Sequence, residues 1–129
     1  MTSILWICVA IGGALGATCR WKLDTVAKRR TPDRPYLGIA LINIIGSFAA
    51  GVAYHVVSDS DLATALITTG FLGGFTTFST AVMDAWDLIE SKRYATAAAL
   101  LVGVWVVALV CAAMGMYVAA IFVFGSFQG

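Results

Sequence analysis

The chain has 129 residues, 60% of them hydrophobic and only 12% charged, with a formal net charge of +1 and a mean hydropathy of +0.92. A soluble domain this small cannot hide that much apolar surface, so an oily soluble bundle is excluded, as is room for a second domain. No nucleic-acid partner is expected.

Asp, Glu, Lys and Arg are absent from residues 1–19, 35–58, 62–83 and 94–129. A membrane-crossing helix needs about 20 such residues. The pattern predicts an all-α integral membrane protein, one domain over residues 1–129, with four spanning helices.

The first helix is expected over about residues 4–21. Its start could be mistaken for a signal peptide, but it lacks a basic leader and a clean processing pattern, so it reads as a retained span. It carries GGALGA at 12–17, where Gly12 and Gly16 have the small-xxx-small spacing that lets another backbone come close. A hydrophilic segment with six basic residues follows. The second helix is expected over about 36–57, with Asn43, Gly46, Ser47 and Gly51 among Ile, Leu and Ala. The short SDSD stretch at 58–61 makes helices two and three antiparallel neighbours. The third is expected over about 62–89 and the fourth over about 94–122, the fourth rich in Ala and Val. Cys8, Cys19 and Cys111 have neither disulfide-framework nor metal-ligand spacing and read as small apolar residues. His55 reads as an interfacial residue near the end of the second span.

All eight basic residues lie between helices one and two (Arg20, Lys22, Lys28, Arg29, Arg30, Arg34) or between helices three and four (Lys92, Arg93). The positive-inside rule puts both loops in the cytoplasm and both termini outside, in a multi-pass protein of the plasma membrane.

The third span holds GGFTTFSTA at 73–81. Two readings compete. Glycines can serve only to bring helices together, and hydroxyls can bond back to the carbonyl one turn earlier. Alternatively, a double glycine followed by four hydroxyls breaks the helix at about 73–80 and frees its peptide groups to meet ions. The clustering favours the break. The mid-depth inventory is then amide, hydroxyl, backbone and the ring edges of Phe75 and Phe78, with Asn43 and Ser47 facing them from helix two. Amide and hydroxyl donors and positive ring edges suit a small anion, and backbone carbonyls suit a small hard cation such as Na+. No titratable carboxylate sits at mid-depth to run a proton-coupled pump. No nucleophile–base pair or metal cluster can be assembled, so no enzyme is expected. Arg20 is either an anion attractor or an interfacial anchor.

Three stretches carry a resemblance: GGALGATCRW at 12–21, NIIGSFAAG at 43–51 and TTGFLGGFTTFST at 68–80. In order, depth and spacing they resemble the CrcB/Fluc class of fluoride channels. The resemblance implies an antiparallel dimer of four-helix subunits with two fluoride pores, and passive export of fluoride. It implies a structural Na+ at the dimer centre, held by the backbone carbonyls of Gly73 and Thr76. It maps the polar-track asparagine to Asn43, the first pore phenylalanine to Phe78 with Ser79 and Thr80 beside it, and the helix-one arginine to Arg20.

Three departures from the family pattern stand out. Ala81 replaces a second pore phenylalanine, Ile39 follows Gly38 where a threonine is usual, and the fourth helix offers little polar beyond Thr96 and Trp105. With the one-sided charge bias, these departures favour pairing with a homologous subunit inserted the other way up, a heterodimer over a homodimer. Two alternatives remain: a non-conducting structural or regulatory subunit, and a small multidrug-type exporter. The latter relies on a glutamate in its first helix, and none is present here.

Overall fold

The computed structural model describes residues 2–125, which are helical apart from short turns, with no strand among the described residues. Four segments are long and apolar enough to cross a membrane: Thr2–Arg30, Leu37–Val56, Asp61–Glu90 and Tyr94–Val123. The chain is a multi-pass membrane protein.

Helix α1, Thr2–Arg30, has 29 residues and a length of about 44 Å. That exceeds the ~30 Å hydrocarbon layer. The charge-free run ends at Arg20, but the helix does not end with it. Lys, Arg, Leu and Ala are good helix formers, and the first obstacle is Pro32, which disfavours helical geometry at Thr31. The hydrophilic segment expected as a loop is thus mostly helix. Its inner side is tied down by Lys28 Nζ, which lies 2.9 Å from Asp24 and 4.0 Å from Asp84.

Helix α2 spans Leu37–Val56. The tight turn after it is closed by the Thr64 hydroxyl, which donates to the Val57 carbonyl at 2.9 Å. Ser60 caps the next helix by accepting from the Ala63 N–H at 3.3 Å, and Asp61 adds a favourable charge to its first turn. Helix α3 covers residues 61–75, with wide π-type turns over Thr64–Leu72. Helix α4 is Ser79–Glu90. Helix α5 covers residues 94–125, with a second wide-turned stretch at Ala99–Gly103.

The third span is therefore interrupted between α3 and α4, at residues 76–78. The interruption is narrower than the expected 73–80. Gly73 keeps helical dihedrals (φ −63, ψ −38), and the chain first leaves the helix at Thr76 (φ −84, ψ 152).

Glycine does different work here. Gly12 and Gly16 on α1, with Gly70 and Gly74 on α3, make two facing G-x-x-x-G pairs. A Cβ on Gly70 would lie 3.0 Å from the Gly12 Cα, and a Cβ on Gly74 would collide with the Gly13 carbonyl. The helices thus meet backbone to backbone, which only residues without a side chain allow. Gly51 and Gly115 do the same between α2 and α5. Two buried clusters complete the core. Ile39, Ile42, Phe75 and Ala81 join α2 to both halves of the third span. Ala40, Ala85, Leu88, Ala97 and Leu100 join α2, α4 and α5.

The α4–α5 turn is a Schellman motif. The Arg93 N–H donates to the Leu88 carbonyl at 2.8 Å and the Lys92 N–H to the Ile89 carbonyl at 2.9 Å. Lys92 sits in the left-handed region at φ 58, where glycine is preferred. Lys92→Gly is expected to raise stability by about 1 kcal/mol, read as a higher unfolding temperature in detergent.

Candidate functional site

The interruption is held open from helix α2. Asn43 uses its side-chain amide as a peptide substitute: Nδ2 donates to the Thr77 carbonyl at 2.8 Å, and Oδ1 accepts from the Thr77 N–H at 2.8 Å. In an unbroken helix that N–H would donate to the Gly73 carbonyl. The clamp satisfies a peptide group that would otherwise be stranded inside a membrane. One Nδ2 hydrogen of Asn43 stays available.

The hydroxyls divide their work. Thr76 bonds back to the Leu72 carbonyl at 3.0 Å, the self-satisfying mode open to any threonine in a span. The Thr77 hydroxyl lies 3.2 Å from that of Ser79 and 3.4 Å from that of Thr80, and accepts weakly from the Thr80 N–H at 3.4 Å. It thereby supports the first turn of α4.

Beside the clamp lies a cavity of about 420 Å³ between α2, the interrupted third span and α5. Its polar lining is Asn43, Ser47, Thr68, Thr76 and Thr77; Gly73 and Phe78 also face it. Phe78 is 63% exposed, a free ring at the rim. The α5 wall is Leu100, Leu101, Val104, Trp105 and Ala108, so the indole N–H of Trp105 is its one side-chain donor.

The other expected site residues lie elsewhere. Phe75 is 7% exposed and stacks on Phe71 with ring centroids 5.8 Å apart; it packs in the core and does not line the cavity. Ser79 and Thr80 stand behind Thr77, in its hydroxyl network. Arg20 is on α1, away from the cavity lining, with its Nε buried and unpartnered.

Thr68 was not singled out by the sequence. Its hydroxyl is buried without a hydrogen-bond partner and its side chain lines the cavity. The available signal was its position two residues before Gly70 in the TTG run.

Gly73 and Thr76 suit a small hard cation on two counts. The Gly73 carbonyl has lost its helical donor to the Asn43 clamp, and a Cβ built on Gly73 meets nothing within 4 Å, so its surroundings are open. Thr76 is extended, which turns its peptide out of the helical ladder. Neutral carbonyl oxygens match an alkali cation better than a soft transition metal.

Comparison with known proteins gives a consistent result. The profile of the family described as CrcB-like protein, Camphor Resistance (CrcB) matches residues 7–116. A Leifsonia xyli protein named "Fluoride-specific ion channel FluC 1" is 38% identical over 120 residues, 91% of this chain and 88% of that protein. "Fluoride-specific ion channel FluC 3" of Bifidobacterium longum is 41% identical over 117 residues, 86% of this chain and 97% of its own length. "Fluoride-specific ion channel FluC 2" of Yersinia pseudotuberculosis is 36% identical over 126 residues, 92% of this chain and 99% of its own. With the profile and these relatives covering most of its length, the chain belongs to the CrcB family.

Proposed function

We propose that the chain is a subunit of a fluoride-specific ion channel that lets fluoride leave the cytoplasm passively. The observation that carries this reading is the cavity at the interruption, where uncharged donors and a free phenylalanine ring meet at mid-span. Fluoride holds its water tightly, so a path for it must replace that hydration with donors, while larger halides fail sterically. The free Nδ2 hydrogen of Asn43 and the hydroxyls of Ser47, Thr68 and Thr77 are such donors, and the positive edge of Phe78 can meet an anion in the ring plane. Ser79 and Thr80 hold Thr77 in place. Arg20 draws anions toward the cytoplasmic end.

Na+ is the cation for the carbonyls of Gly73 and Thr76. It would be coordinated by peptide oxygens that have lost their helical donors at mid-depth, and further oxygens must come from a second subunit. That subunit is a homologous four-helix chain inserted in the opposite sense, giving an antiparallel heterodimer. The apolar α5 wall supports this reading, because the cavity lacks a polar side that a different partner can supply. The basic residues between the first and second spans and between the third and fourth support a cytoplasmic side for both of those segments and an outer side for both termini.

The test is efflux from liposomes, followed with a fluoride electrode, for the chain alone and for the chain coexpressed with a homologous subunit. Efflux from the pair and not from the chain alone is expected. Efflux from the chain alone would overturn the heterodimer. No efflux in either case would make it a non-conducting subunit. In the conducting pair, Phe78→Ile is expected to cut efflux roughly tenfold, the value of one aromatic contact; an unchanged rate would remove Phe78 from the path.

A further inference from the structure

The length of α1 has a second use. Beyond Arg20 the helix continues for ten residues, about 15 Å. One side of this extension is fixed. Lys28 pairs with Asp24 at 2.9 Å and reaches Asp84 on α4 at 4.0 Å, where the Asp84 side chain is only 10% exposed. Ala27 and Asp24 also press against Gly38, whose added Cβ would lie 2.7 Å from Ala27 Cβ and 3.0 Å from Asp24 Oδ1. The extension is held against the bundle as a rigid rod.

Its other side is unpartnered and basic. Lys22, Val26 and Arg29 follow the i, i+4, i+7 spacing of one helix face, Leu23 and Arg30 flank them, and all five are exposed. Lys22, Arg29 and Arg30 form no ion pair with any described residue. The acid within this stretch, Asp24, is turned to the bundle by its pairing with Lys28. Trp21, 66% exposed, sits where the apolar run ends, the level at which indole rings anchor to headgroups.

We propose that this face of α1, from Lys22 to Arg30, binds the headgroups of anionic phospholipids. Cations interleaved with Leu23 and Val26 match a lipid in both parts: the charges meet the phosphate, and the two apolar side chains lie against the glycerol and upper acyl region. The long stems of Lys22, Arg29 and Arg30 can reach along the bilayer surface while their bodies stay on the helix. The rod's attachment through Lys28 and Asp84 fixes the three cations along α1, spread over about 12 Å of its axis from Lys22 to Arg30, so their long side chains together cover the headgroup layer of one leaflet. This inference is independent of what the protein conducts.

The test uses the purified full chain in detergent and native mass spectrometry with phosphatidylglycerol or phosphatidylcholine added. Wild type is expected to hold phosphatidylglycerol at least tenfold more tightly than phosphatidylcholine. Each basic residue near an anionic surface is worth about fivefold in binding. The triple variant Lys22→Gln/Arg29→Gln/Arg30→Gln is therefore expected to lose most of the preference, and Arg29→Gln alone about fivefold, which keeps the test usable if the triple variant does not fold. Arg34→Gln/Lys92→Gln/Arg93→Gln removes the same net charge elsewhere and is expected to keep the preference. The proposal fails if wild type does not discriminate between the lipids, if the α1 variants bind phosphatidylglycerol as wild type does, or if the control triple loses as much. It also fails if inorganic phosphate at equal concentration displaces the lipid.

Discussion

Asn43→Asp is expected to lower fluoride efflux from the conducting pair about 100-fold, because a charge at mid-span costs about 3 kcal/mol and here stands in an anion's way. The substitution also replaces the Nδ2 donor with an oxygen. The Thr77 carbonyl, now 2.8 Å from Nδ2, would face a carboxylate and lose its partner, while the Thr77 N–H could still donate. Asn43→Leu separates the two effects. It adds no charge but strands both Thr77 groups, at about 1–3 kcal/mol each for a buried unsatisfied group. Thermal unfolding in detergent beside liposome efflux reads both consequences. A leucine variant that is as stable as wild type would mean the clamp does not hold the interruption open. An aspartate variant with undiminished efflux would put the anion path elsewhere.

The second large effect belongs to the facing glycines. Gly74→Ala places a methyl against the Gly13 carbonyl, and Gly16→Ala places one against the Phe71 carbonyl. Backbone cannot swing aside as a side chain can, so α1 and α3 must separate. A loss of about 3 kcal/mol, the upper part of the range for overpacking, is expected for each, seen as low yield of folded protein and a depressed unfolding temperature. Gly73→Ala is the control one residue away. Its methyl meets nothing within 4 Å, so the fold should be unchanged. If Gly73→Ala unfolds the chain and Gly74→Ala does not, the described α1–α3 contact is wrong.

The sequence made much of this legible, and its misses have physical reasons. Four spans follow from charge-free length alone, a property each segment carries by itself. An interruption in the third span follows from hydroxyls and glycines crowded where lipid offers no partners. Its location did not follow, because it is set by Asn43, 34 positions away in the chain. Glycine allows a helix to break without making it do so, and Gly74 is used for closeness to α1 instead. The different fates of Phe75 and Phe78 were equally hidden. On a continuous helix, residues three apart share a face, but residues 76–78 reset the helical phase, so one ring enters the core and the other stays free. The extension of α1 was missed because counting charges finds where the membrane ends, and a helix has no reason to stop there. Thr68 looks in sequence like any threonine able to satisfy itself; only the structure shows its hydroxyl without a partner.

The Asn43 clamp also bears on the order in which the protein matures. Residues 61–90 contain no proline, and nothing within them forbids a continuous coil when they first enter the bilayer alone. Uncoiling at Thr76–Thr77–Phe78 becomes favourable only once the amide from the preceding span is alongside to replace the lost backbone hydrogen bonds. The distortion is thus acquired at docking, late in assembly. A peptide of residues 61–90 by itself in micelles would stay a straight rod.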